Sequence, residues 1–493
     1  MSKNYDFLII GAGISGLSCA LLLARFGHRV AVLEQAAQPA PLVSGFKRAG
    51  IYFETGFHYA GGAGDDGPLE CNLQALGLAE RLEKVPLDRQ AFDTVRFTAP
   101  DFEFSFPQGY ERLTEGLLQA FPEQHQAILS YLEKVRETAA GLPYYEPDAP
   151  AALPDLAARH GATLAQVLDR FNIRGRLRNL FEIHCLLHGA GADEIPFLIH
   201  AGVVDGYYRT AHTFKGGGRA LARALVETAE AHGIEIFCRS RVEAITRSTA
   251  GTLTGVRCRD KTHFAGRNCI LTAHPAGLLE LLPEKAWRPA FRHRLAGLEE
   301  TIGADLVFLS TSAARKKALS GRNFYFFPPA STDLLNTSGE LEKRLLYLNF
   351  AESNGTDGGI TAILPGRHYT SEQEYFSSPA YELHKRRLGE EVKQRIRKLL
   401  PELGDGLEVL ATASAKTLQA VNASPRGSMY GVKHKLGQFN PGPRTRIPGL
   451  YLAGQGITAP GLLGATTSAF LTVGEIVGHQ RLQRFRREKI CDA

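Results

Sequence analysis

Apolar positions in the first 34 residues form two short unbroken runs separated by a helical stripe. "DFLII" and "VAVL" are continuous, as strands buried on both faces require, whereas Leu17, Ala20, Leu21 and Ala24 recur at i, i+3, i+4 and i+7. The pattern predicts strand, turn, helix and parallel strand, with Gly27 stopping the helix and Glu34 closing the second strand. In mid-chain, Ala222, Leu225, Val226 and Ala229 form a second helical stripe, which leads through Gly233 into the strand patterns "IEIF", "RVEAI", "LTGVRCR" and "NCILTA". The tail repeats the first theme: "GLYLAG" reads as a strand ending at Gly454, a glycine loop follows, and a helix starts near Gly464. Between these segments, Leu388, Val392, Ile396 and Leu399 share one face of a predicted helix whose other face is basic.

The glycine spacing in the first turn gives it a chemical meaning. Gly11 permits the tight turn, Gly13 lets the backbone approach a pyrophosphate, and Gly16 lets the helix pack on the strand. Glu34 stands where a carboxylate accepts hydrogen bonds from a ribose. No second G-x-G-x-x-G occurs, so a separate nicotinamide domain is not expected. The fold class expected is α/β: a Rossmann-like domain built from residues 1–75, 205–275 and 425–493, with an interleaved α+β substrate domain from 76–204 and 276–424. At 493 residues the chain exceeds what one core usually serves.

Composition narrows the setting. The apolar fraction of 44% and charged fraction of 22% fit an ordinary globular protein, and a net charge of +6 without a dense basic stripe argues against nucleic acid as partner. Seven scattered cysteines with no C-x-x-C pair indicate neither a disulfide framework nor a metal centre, and suggest a reducing compartment. The stretch "FLIIGAGISGLSCALLLARF" could pass for a signal peptide or a short membrane helix, but its glycine spacing favours the strand-turn-helix reading. The expectation is a cytoplasmic protein in which the helix His384–Leu400 is an amphipathic surface helix packed on the substrate domain, with peripheral contact at the inner face of a membrane through that basic helix or the terminal "RLQRFRREKI" as an option.

Candidate chemistry centres on "IYFETGFHYAGG", Ile51–Gly62. His58 and Tyr59 could supply a proton near the glycine turn; alternatively, Glu54 and His58 simply hydrogen-bond backbone. Tyr430 and Lys433 are similar candidates. His184 and His188, four apart, lack a third ligand in the sequence and are expected to be satisfied helix histidines. No G-x-S-x-G elbow is present.

Taken with "ASPRGSMYGVKHKLGQF" and "GLYLAGQGITAPGLLGA", these motifs resemble the phytoene desaturase superfamily of amine-oxidase-like flavoproteins. Within it, the branch with carotenoid isomerases and all-trans-retinol 13,14-reductases is nearest. The resemblance implies FAD, with Gly11, Gly13, Ile14, Ser15, Gly16 and Glu34 on its ADP part and Val242 near the adenine. Gly454, Gln455, Gly461, Leu463 and Gly464 would follow the pyrophosphate, ribityl chain and ring. Catalysis would involve His58, Tyr59 and Tyr430, on an apolar polyene, with an electron donor or acceptor that the sequence leaves unnamed. Hydride exchange at carbon-carbon double bonds, cis-trans isomerisation with reduced FAD, and lipid binding without turnover all fit the resemblance. An amine-oxidising variant would need an aromatic cage and an acid that the sequence does not reveal. One departure stands out: where the family has a Gly-Gly pair, this chain has Ala40 and Pro41, so the loop is expected to be rebuilt or the cofactor held differently. A second is Glu54, where the family usually has aspartate.

Overall fold

The computed structural model describes residues 4–98, 101–149, 161–328, 334–335, 340–350, 358–368 and 378–491. Its first sheet orders the strands 235–237, 30–33, 4–10, 263–271, 253–258 and 242–247, with 450–452 also pairing the strand His263–Leu271. The strands flanking Asn4–Ile10 run parallel to it, in the registers Ile10↔Leu33 and Ile10↔Leu271, while 242–247, 253–258 and 263–265 form an antiparallel meander. Both faces are covered. The helices Ile14–Arg25, Gly217–Ala231 and Gly461–Val477 bury Leu17, Leu21, Leu225 and Phe470 on one side, and Leu278, Trp287 and Leu295 pack on the other. Burial on both faces is why the strands Asn4–Ile10 and Val30–Leu33 are so uniformly apolar.

A second seven-stranded sheet follows the order 408–413, 303–310, 359–366, 346–349, 323–327, 93–98 and 101–106. All its pairings are antiparallel except that of Asn323–Phe327 with Asp93–Thr98. One face packs on the helix Pro379–Leu399 through Leu388, Val392 and Ile396. That stripe is the apolar face read above as an option for membrane contact; it lies in the core and is unavailable to a lipid surface. The terminal helix His479–Cys491 likewise buries Leu482 and Arg486. Among the described residues, no helix is long and apolar enough to cross a membrane. The other face of the second sheet looks toward the helices 125–140 and 197–209 and, between them, toward a large cavity.

Candidate active site

A cavity of about 1080 Å³ runs between the two sheets, and its wall is assembled from the ends of distant segments. Gly11, Gly13, Ile14, Ser15 and Gly16 line one end with Glu34 and Val242. Gly454, Gln455, Gly461, Leu463 and Gly464 line the adjoining stretch. Ser15 ties these two groups together, its hydroxyl donating to the Ala465 carbonyl at 2.9 Å. The helices starting at Ile14 and Gly461 have no side-chain cap, so their first N–H groups stay free for an electron-rich ligand oxygen. A Cβ added at Gly13 or Gly461 would meet nothing within 4 Å, whereas one at Gly16 would lie 2.0 Å from the Gly11 carbonyl oxygen. Gly13 therefore leaves room for a ligand and Gly16 for helix-strand packing. The cradle fits a dinucleotide pyrophosphate. Glu34 is held by the N–H groups of Ala12 and Ala36, each at 2.8 Å, which leaves each carboxylate oxygen a further lone pair for a ribose hydroxyl.

The loop at Ala40 resolves the departure noted in the sequence. Ala40 itself takes the left-handed conformation, φ 47°, that a glycine would adopt. Its N–H donates to the Ala12 carbonyl at 2.8 Å, and its carbonyl accepts from the N–H groups of Val43 and Ser44. The chain keeps a glycine-like path at the cost of strain. Neither Ala40 nor Pro41, both lining the cavity, has an N–H to offer a ligand.

At the far end the cavity becomes aromatic. His58, Tyr59, Tyr207, Tyr325, Tyr347 and Tyr430 all line it, together with apolar Leu306 and Ile363. Tyr59 donates to Asp93 Oδ2 at 2.8 Å, and its hydroxyl lies 3.1 Å from that of Tyr325. Asn323 donates to Asp93 Oδ1 at 2.8 Å, so both carboxylate oxygens are engaged. Burial, followed by the Asp93 charge, pushes the phenols of Tyr59, Tyr325 and Tyr347 well above their ordinary pKa, and they stay protonated. Burial also lowers His58 to about 4, so its imidazole is neutral at physiological pH. His58 Nδ1 has no hydrogen-bond partner, whereas Glu54 accepts from the Gly218 N–H at 3.2 Å, at the start of the helix Gly217–Ala231. The backbone-bonding alternative thus describes Glu54 and not His58.

Other candidates fall elsewhere. Lys433 is paired with Glu194 at 2.9 Å and does not line the cavity. His434, beside it, donates from Nε2 to the Gln455 carbonyl at 2.8 Å and fixes the cofactor-side loop. His184 and His188 are not on one α-helical face, because Ile183–Leu187 is a 3₁₀ segment. His188 meets His200 at 3.1 Å and groups with Cys185, a neighbour that the sequence spacing concealed. His184 is not satisfied: both ring nitrogens lack hydrogen-bond partners, and Nε2 lies 3.7 Å from Asp93. The residues missed in the sequence are Asp93, Tyr207, Tyr325 and Tyr347. They come from separate elements; for Tyr325 and Tyr347 the local signal is a tyrosine flanked by apolar strand neighbours, "FYF" and "LYL", whereas Tyr207 lies on the helix Phe197–Arg209 and Asp93 opens a strand.

Residues 14–477 match the model for flavin containing amine oxidoreductases. The chain belongs to that family. Its cofactor is FAD, which the cradle above fits. Human all-trans-retinol 13,14-reductase is 25% identical over 525 residues, covering 96% of this chain and 86% of the relative. Prolycopene isomerase 2 of an Oncidium hybrid cultivar is 33% identical over 129 residues, covering 26% of this chain and 21% of the relative. The amine-oxidoreductase fold is also that of putrescine oxidase bound to putrescine, at TM-score 0.65 and 16% identity over 97% of this chain and all of that one. The branch resemblance read from the motifs is therefore upheld, as is the amine-oxidase-like architecture.

Proposed function

We propose that the protein is an FAD-dependent oxidoreductase acting on carbon-carbon double bonds of an apolar polyene of carotenoid or retinoid type. One observation carries the reading: a single cavity joins the dinucleotide cradle to a chamber walled by Leu306, Ile363 and tyrosines. Gly11, Gly13, Ile14, Ser15, Gly16 and Glu34 hold the ADP part of the cofactor, Val242 meets the adenine, and Gly454, Gln455, Gly461, Leu463 and Gly464 border the rest. When bound, FAD supplies hydride transfer, the step that side chains cannot perform. The chain's own work is to exclude water, orient the polyene and manage one proton. Saturation places a hydride on one carbon and a proton on its neighbour, and desaturation removes both. Tyr430 is a proton donor held neutral by burial, Tyr59 serves as one when its O–H turns from Asp93 to the substrate, and His58 acts as a neutral imidazole. The likeness to a prolycopene isomerase supports a second reading, isomerisation without net redox change.

The test is product analysis on protein loaded with FAD and offered all-trans-retinol or a carotene under reducing and oxidising conditions. A gain or loss of two hydrogens by mass supports the first reading, and an isomer of unchanged mass supports the second. Protein that takes up no FAD, or that leaves every polyene unaltered, sinks both.

A further inference from the structure

The far end of the cavity is poorly suited to a pure hydrocarbon. Tyr207, Tyr347 and Tyr430 all line it. Among the described residues, the Tyr207 and Tyr430 hydroxyls have no hydrogen-bond partner, and Tyr347 has only Asn349 Nδ2 at 3.5 Å. The Tyr207 and Tyr430 hydroxyls are not sealed from the cavity as buried orphans are. Tyr207 stacks obliquely on Tyr59 at 4.9 Å between ring centroids, and Tyr347 on Tyr325 at 4.9 Å, so the rings converge on one place. Burial and, for Tyr207, the neighbouring Tyr430 and Asp93 raise their pKa, which keeps them as O–H donors.

We infer that this tyrosine cluster is a binding subsite for a neutral oxygen-bearing end group, a hydroxyl or carbonyl, on the polyene. The inference rests on the function proposed above and narrows its substrate class. A hydrocarbon end would strip water from three phenols and return nothing, at a cost on the order of tenfold in affinity for each unpaired group. A carboxylate end would need a cation to compensate it, and the arginine that lines the cavity, Arg241, stands beside Val242 at the dinucleotide end. An ammonium end would need that charge within reach, yet Asp93 is fully buried, does not line the cavity, and has both oxygens occupied by Tyr59 and Asn323. The carboxylates that do line the cavity, Glu34 and Glu280, belong to its dinucleotide end. A neutral oxygen accepts from the phenols with no charge to compensate.

Equilibrium binding tests this without requiring turnover. FAD-loaded protein is titrated with all-trans-retinol, with the matching hydrocarbon lacking the oxygen, and with the matching primary amine, and the quenching of ligand fluorescence is followed. The alcohol is expected to bind at least about tenfold more tightly than the hydrocarbon. In Tyr207→Phe/Tyr347→Phe, which keeps both rings, the alcohol's Kd should rise about tenfold or more while the hydrocarbon's Kd holds or falls. Equal affinity for alcohol and hydrocarbon, tightest binding of the amine, or equal weakening of all three ligands in the variant overturns the subsite. Each single substitution, Tyr207→Phe and Tyr347→Phe, repeats the comparison if the pair unfolds. Double-bond turnover without preference for the alcohol would uphold the redox function and overturn the subsite. Alcohol preference without turnover would uphold the subsite and overturn the redox function.

Discussion

Ala40 occupies a backbone position that favours glycine, at φ 47° and 2% exposure. The left-handed conformation costs an alanine roughly 1–2 kcal/mol. Its buried methyl returns about 0.8 kcal/mol, and its stiffer unfolded chain about 0.4–1 kcal/mol. These terms nearly cancel, which explains how an alanine holds this left-handed position without loss of the loop. Ala40→Gly should therefore change stability in urea by less than about 1 kcal/mol, while Ala40→Val, β-branched at the same φ, should lose about 2 kcal/mol or more and retain less FAD. A large stabilisation by the glycine would mean that the strain is greater than this balance allows. His58 shows the converse case, a residue singled out by its spacing that lines the cavity but whose electrostatic state no spacing could give. Only burial among the cavity walls lowers it to about 4.

Among elements, the carboxylate of Glu54 joins the segment after the strand Ile51–Phe53 to the N-terminus of the helix Gly217–Ala231. Both its oxygens lie 3.2 Å from the Gly218 nitrogen, where an anion faces the positive end of the helix dipole. Glu54→Gln keeps the shape and removes the charge, so unfolding should become easier by about 1 kcal/mol with FAD content retained. Loss of FAD at unchanged stability would instead place Glu54 at the cofactor. The helix Pro379–Leu399 teaches a related lesson. Its amphipathic stripe was legible at Leu388, Val392 and Ile396, but the stripe alone fits a protein core as well as a lipid surface. The second sheet supplies the partner and decides between them.

For the whole molecule, histidines held as neutral rings by burial, among them His58, His188 and His200, set a pH limit. Burial lowers His58 to about 4, His188 to about 3, and His200 well below its ordinary value. In the unfolded chain each protonates near its ordinary value of about 6.5. As pH falls from about 6.5 toward 4, the unfolded state binds more protons than the native one, and stability drops by up to about 1.4 kcal/mol per histidine per pH unit. Urea unfolding at pH 7, 6 and 5 should show this decline, and His58→Gln should make it shallower. A midpoint constant from pH 7 to 5 would contradict the neutral burial of these rings.

The sequence by itself determined the dinucleotide turn, the strands around it and the flavoprotein family, because those features depend on residues close in the chain. Glycine spacing, a 3.6-residue stripe and a terminal acid are local requirements of one strand-turn-helix-strand unit, and so they can be read from residues 5–34 alone. The tertiary structure decided the tyrosine-lined end of the cavity. Tyr59, Asp93, Tyr207, Tyr325 and Tyr347 are separated by up to hundreds of positions, as the 266-residue gap between the bonded hydroxyls of Tyr59 and Tyr325 illustrates. No local pattern encodes that meeting, since each tyrosine satisfies the apolar requirement of its own element. Their hydroxyls acquire a common purpose only when two sheets close around one space.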